Sequence, residues 1–191
     1  MPTLTARPPT NLSSTDLRPH LPIPAAFVEV SRRFVTVDEV PAELIRYERA
    51  DGRNGGLGGE HVSAVVDGTG KLKGFARLDV ALAKGTLPAR EHAREIALDF
   101  LERFAPDLLA QFEIKWIEPH DEVIRTDGAA LTITGMKVKI FNALDGRWFW
   151  IIVGTDGEVA VFERDIVWIT IPGHRQTEKW LHDSWLAERA A

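Results

Sequence analysis

The chain contains no cysteine, which removes disulfides, thiol nucleophiles and thiolate metal ligands from consideration without fixing a compartment. Basic residues are also in the minority. With 23 Lys and Arg against 28 Asp and Glu the net charge is -5, the reverse of what binding a phosphate backbone demands, so no nucleic-acid partner is expected. No apolar run comes near the roughly 18 residues that cross a bilayer. The longest, Trp148 to Val153, suits a buried strand, and the expectation is a soluble protein with no membrane partner. The start MPTLTARPPTNLSS lacks the basic residues and apolar core of a secretory signal, which makes cytoplasm the expected location.

Familiar catalytic signatures are missing as well. The chain has no HExxH and no GxSxG. The glycine-rich Gly55-Gly56-Leu57-Gly58-Gly59 lacks both the Lys-Ser/Thr ending of a P-loop and the GxGxxG order, so it reads as a mobile hairpin connection. No cofactor is expected.

What the chain does have is an internal correspondence. Residues 59–77, GEHVSAVVDGTGKLKGFAR, match residues 146–164, GRWFWIIVGTDGEVAVFER, 87 positions further on. Gly59 corresponds to Gly146, Val65-Val66 to Ile152-Val153, Gly70 to Gly157, Phe75 to Phe162 and Arg77 to Arg164. Both copies read as β-hairpins, with turn glycines between β-branched and aromatic residues. Asp165 with Arg164 and Arg77 is expected to form ion pairs at the hairpin ends.

Around these hairpins the chain divides simply. Six of the eleven prolines fall in residues 1–24, an arm expected to lie along the surface or to clasp a partner subunit. Residues 25–191 read as a single α+β domain, long enough for one shared core. The segment PAAFVEVSRRFV, from Pro24, is read as a short helix, with a strand as the alternative. The clearest helix runs from about 88 to 105. It sets Ala93, Ile96, Ala97, Phe100, Leu101 and Phe104 on one stripe and charged residues on the rest. Phe112–Ile117 and Val123–Arg125 read as strands interrupted at Pro119, and Leu131–Phe141 as another. The segment TEKWLHDSWLAERA is expected to form a terminal helix.

The helix AREHAREIALDFLERFAP, followed by strands and the hairpin DGRWFWIIVGTDGEVAVFER, resembles the PepSY family. The turn Asp67-Gly68-Thr69-Gly70-Lys71-Leu72 carries the likeness most closely, and Thr155-Asp156-Gly157-Glu158-Val159 more loosely; it covers about residues 40–165. The resemblance implies a helix packed on an antiparallel sheet and a binding or inhibitory role, as in peptidase propeptides, with no catalytic residue to carry over. It does not extend to the Trp-rich stretch from Trp168 onwards.

Candidate chemistry is sparse. His174, Glu178 and His182 stand at i, i+4 and i+8, so an unbroken helix would offer two imidazoles and a carboxylate to a metal. Pro172-Gly173 argues for a later helix start and for structural or surface roles. His120, Asp121 and Glu122, in EPHDE, have the groups for acid or base work, yet neighbours on a strand diverge and a solvated turn is the expected reading. Ser184 follows His182 and Asp183, but consecutive helical positions cannot make a triad. All six tryptophans lie from Trp116 onwards. Trp148, Trp150, Trp168, Trp180 and Trp185 are expected in the core between the second hairpin and the terminal helix, with a ligand or partner surface as the other reading.

The expectation is therefore a non-enzymatic binding or protein-interaction module of PepSY-like type, with an unidentified protein or small-molecule partner and a homodimer through the second sheet as one arrangement. The alternatives are an enzyme or metalloprotein using His120, Asp121 and Glu122 or His174, Glu178 and His182, and a regulator of a peptidase.

Overall fold

The computed structural model describes residues 10, 12, 16–171 and 173–190. Eight strands form one antiparallel sheet: β1 (Phe27–Val37), β2 (Val40–Arg49), β3 (His61–Asp67), β4 (Leu72–Leu78), β5 (Phe112–Thr126), β6 (Ala129–Asn142), β7 (Trp148–Val153) and β8 (Val159–Ile166). Their spatial order is β1-β2-β3-β4-β8-β7-β6-β5. Two four-strand meanders thus meet at β4 and β8, where Phe75 pairs with Phe162. Helix α1 (Arg90–Phe104) links them, and a short hairpin of β9 (Trp168–Ile169) and β10 (His174–Arg175) leads to helix α2 (Asp183–Ala190). The fold is α+β. No helix among the described residues is long and apolar enough to cross a membrane.

Each sheet face carries its own core. Helix α1 covers the first because its stripe buries Ala93, Ala97, Phe100, Leu101 and Phe104. Phe100 packs against Phe162 at 5.2 Å between ring centroids and against Phe104 at 4.7 Å. The described part of the N-terminal arm is a strap on this same face. Leu12, Leu17 and Leu21 are buried in the core, and the Thr10 and Leu12 amides donate to Arg103 O and Gly70 O. The second face is covered by the short 3-10 turn Val80–Ala83, the outer part of the β5–β6 hairpin and the C-terminal segment.

Three sequence expectations need correction. Residues 27–37 are strand β1, not a helix: Val28, Val30 and Val35 favour extended backbone, and Asp38 and Glu39 both adopt the positive φ of a tight hairpin turn into β2. Strand β5 runs unbroken through Pro119, and its register shift lies between Ile114 and Trp116 instead. An edge strand tolerates proline where the missing N–H would face away from its partner. The terminal helix starts only at Asp183. Before it, Thr177 Oγ1 accepts from the Val167 amide and donates to Asp165 O, which holds that stretch out of helical geometry.

The ion pairs at the hairpin ends are only partly as expected. Arg164 does bind Asp165, and also Asp107 at 2.5 Å, while Arg77 pairs with Asp156 across the β4–β8 seam at 2.6 Å.

Candidate functional site

The second face is not filled completely. Strand β6 has β7 as a neighbour only from Met136 onwards, so the outer half of the β5–β6 hairpin continues past the sheet. Its Asp127-Gly128 turn, with both φ positive, closes the hairpin. Ile124 and Ile133 are buried against the second core, so this arm folds back over it. Its tip is tied to the glycine-rich loop: Arg125 N–H donates to Gly58 O at 2.7 Å and Asp127 N–H to Asn54 Oδ1 at 3.1 Å.

That loop is not the slack connection the sequence suggests. Asn54 Nδ2 donates to Glu60 Oε2 and the Gly56 amide to Glu48 Oε2. At Gly59 a Cβ would sit 1.8 Å from Asn54 O, so only glycine allows the chain to close on itself there.

Between the sheet, the arm, the loop and the C-terminal segment lies a cleft of about 450 Å³. Its apolar surface includes Ala76 and Leu78 on β4, Val161 on β8 and Leu181, with Leu57 of the loop and Ile124 of the arm. Its polar groups include His61 on β3, Glu163 on β8, Glu122 and Arg125 on the arm, and His182 with Asp183 where α2 begins.

Two buried ionic clusters hold the wall formed by the C-terminal segment. In the first, Arg46 reaches Asp183 through both terminal nitrogens, at 2.7 and 3.0 Å, and Glu48 through Nε at 2.7 Å. The Gly58 amide also donates to Asp183, at 2.6 Å. Burial alone would raise the Asp183 pKa; the hydrogen bond from Arg46 and the neighbouring positive charge hold it below the usual carboxylate value. In the second, Glu163 accepts from His182 Nε2 at 2.9 Å and meets Arg175 Nη1 at 2.5 Å. Although burial opposes ionisation, these partners hold the Glu163 pKa at about 2.

His61 stands beside the first cluster and is 1% exposed. Its Nδ1 lies 3.0 Å from Gly59 O and 3.5 Å from Asp183 Oδ2, both acceptors, which assigns the ring proton to Nδ1. Burial, reinforced by the Arg46 cation, lowers its pKa, so the ring is neutral at pH 7. Nε2 then carries a lone pair, and it is buried with no hydrogen-bond partner among the described residues. A buried imidazole acceptor held by a carboxylate can orient a donor or take a proton.

The sequence candidates are dispersed. His182 borders the cleft, but His174 lies on β10 and Glu178 accepts from the Asp38 amide, so no helix aligns the three. Among the described residues no group of three or more His, Asp or Glu side chains is placed to hold a metal ion. In EPHDE, which is strand and not turn, His120 and Glu122 share one strand face, 3.5 Å apart, while Asp121 accepts from Thr134 Oγ1 at 2.6 Å on the other. Of these only Glu122 borders the cleft. Ser184 borders it too, without a hydrogen bond to His61 or His182.

None of the five candidate tryptophans lines the cleft. Trp150 is buried in the second core and, like Trp148, lies under a lysine: Lys137 is 4.3 Å from Trp150 and Lys139 is 4.6 Å from Trp148. Trp180 and Trp185 meet edge to face at 4.8 Å, Trp180 Nε1 donates to Thr36 O, and Trp168 is exposed. They anchor the segment that walls the cleft.

Sequence reasoning passed over Arg46, His61 and Glu163. Each was visible as a polar residue within an apolar strand, in LIRYER, HVSAVV and VAVFER. No family model matches the chain, and no curated protein or solved structure matches it.

Proposed function

We propose that the protein is a binding module for a small, largely apolar molecule held in the cleft on the second face. The observation that carries this reading is a recess of about 450 Å³ lined mainly by apolar side chains with a few polar residues at its border, the usual composition of a small-molecule site. It refines the binding-module expectation by moving the site from the tryptophans to the floor formed by β3, β4 and β8. The likeness to PepSY modules enters here as a scaffold relationship, supported by a helix on an antiparallel sheet and by the two corresponding hairpins, which we read as a duplicated unit.

The test is a titration with toluene, followed through the side-chain methyl resonances of Leu78, Val161 and Leu181. Saturable shifts at all three, with none at Leu101 beneath α1, are expected. Unmoved methyls, or shifts spread evenly over both cores, overturn the reading.

A further inference from the structure

We propose that the outer edge of β1, from Ser31 to Val35, receives an extended segment of a different protein as an added strand, with an acidic residue opposite Arg33 and an apolar residue opposite Phe34. This surface lies apart from the cleft and stands whether or not the cleft binds a small molecule.

The turn from β1 into β2 fixes which backbone groups face outward. Asp38 and Glu39 form a two-residue turn with both φ positive, so Val37 exchanges hydrogen bonds with Val40, and Val35, Arg33 and Ser31 do so with Ala42, Leu44 and Arg46. The N–H and C=O groups of Arg32, Phe34 and Thr36 therefore point away from β2. Thr36 O agrees with this placement, since it accepts from Trp180 Nε1 at 2.7 Å. Among the described residues no other element bonds the outward backbone groups of Arg32 and Phe34. The opposite edge of the sheet is guarded. On β5, Pro119 has no N–H to give and the Arg125 N–H is held by Gly58 O. An edge left unguarded is a template for a strand from another chain.

Charge decides between partners. Arg32 is matched by Glu29 and Glu43, whereas Arg33, exposed on the other face of the strand, has no ion pair among the described residues. Pairing β1 with a second copy through Arg32 and Phe34 sets Arg33 directly opposite its own counterpart, where like charges repel. Centring that pair on Phe34 instead draws in Thr36, whose carbonyl Trp180 already holds. A different chain with Asp or Glu at this position turns the repulsion into an attraction. The exposed Phe34 ring then offers its flank to an apolar neighbour on the first face.

The probes are two capped pentapeptides, Thr-Val-Glu-Val-Thr and Thr-Val-Lys-Val-Thr, titrated into the intact chain and followed through its backbone amides. The Glu peptide is expected to give saturable shifts centred on Arg32 and Phe34. It should bind about 5-fold tighter than the Lys peptide, the ratio gained when an exposed repulsion becomes an attraction. Arg33→Glu should reverse that order. Phe34→Pro removes only an outward N–H, so it should abolish binding of the Glu peptide while the β1–β2 amides stay protected. If that variant loses the fold, the reversal by Arg33→Glu decides. No binding by either peptide, equal affinity for the two, or shifts that avoid Arg32 and Phe34 overturns the proposal. So does a concentration-dependent dimer of the chain alone with shifts at those two amides, which makes a second copy the occupant.

Discussion

Asp183 joins three separate parts of the chain: Arg46 on β2, the Gly58 amide in the loop and, through its helix, the C-terminal segment. Removing its carboxylate leaves the Arg46 guanidinium buried with fewer partners, so Asp183→Ala should lower unfolding free energy in urea by about 3 kcal/mol. Glu163→Gln should do comparable harm at Arg175. Gly59→Ala should destabilise by several kcal/mol, roughly 3, because the obstacle is backbone and cannot swing aside. The buried groups also predict how stability follows pH. His61 is held neutral with a lowered pKa, so the unfolded chain protonates first: stability should be full above about pH 6.5 and fall as the pH drops below it. Glu163 adds a second loss, as the pH falls from its unfolded value of 4.5 towards about 2. Urea midpoints across pH 2 to 8 should show both phases, and the upper one should be absent in His61→Leu. At this scale the sequence was half legible. Charged residues within apolar strands mark Arg46 and Glu163 as unusual, but their partners lie up to 137 positions away, a separation no local pattern reports.

At the scale of elements, the clear successes were those whose pattern is complete within a few residues. Helix α1 displays its stripe over four turns, and the hairpins β3–β4 and β7–β8 carry their own turn glycines. Strand β1 was misread because its amphipathic signal is weak: it is an edge strand, with Val28, Val30 and Phe34 exposed. Phe34 is 90% exposed, so Phe34→Ser should change stability by less than about 0.5 kcal/mol in thermal melts. The C-terminal segment was misread for the opposite reason, since tertiary contacts override its helical propensity before Asp183. Trp180 provides two of those contacts, with Thr36 O and the Trp185 ring. Trp180→Ala should speed amide exchange across residues 178–190 by at least about 10-fold while leaving α1 protected. Uniform exchange in the two regions would show that the wall of the cleft is not separately anchored.

The whole molecule is two consecutive meanders, 27–78 and 112–166, with a helix between them. Within each, every strand pairs with its sequence neighbour, and among the described residues only the β4–β8 seam joins strands far apart in the chain. The architecture was legible as α+β with paired hairpins, but the number of strands in one continuous sheet was not, because sheet closure depends on which edges meet. That single seam has a consequence for how the polypeptide could be divided. A break at Gly85, an exposed residue with φ of 108° between the meanders, cuts no strand and leaves each fragment with an intact meander. Coexpressed halves ending and beginning there should find each other and copurify, reassembling a split protein whose reconstitution is blocked by proline at Ala76 on the joining strand.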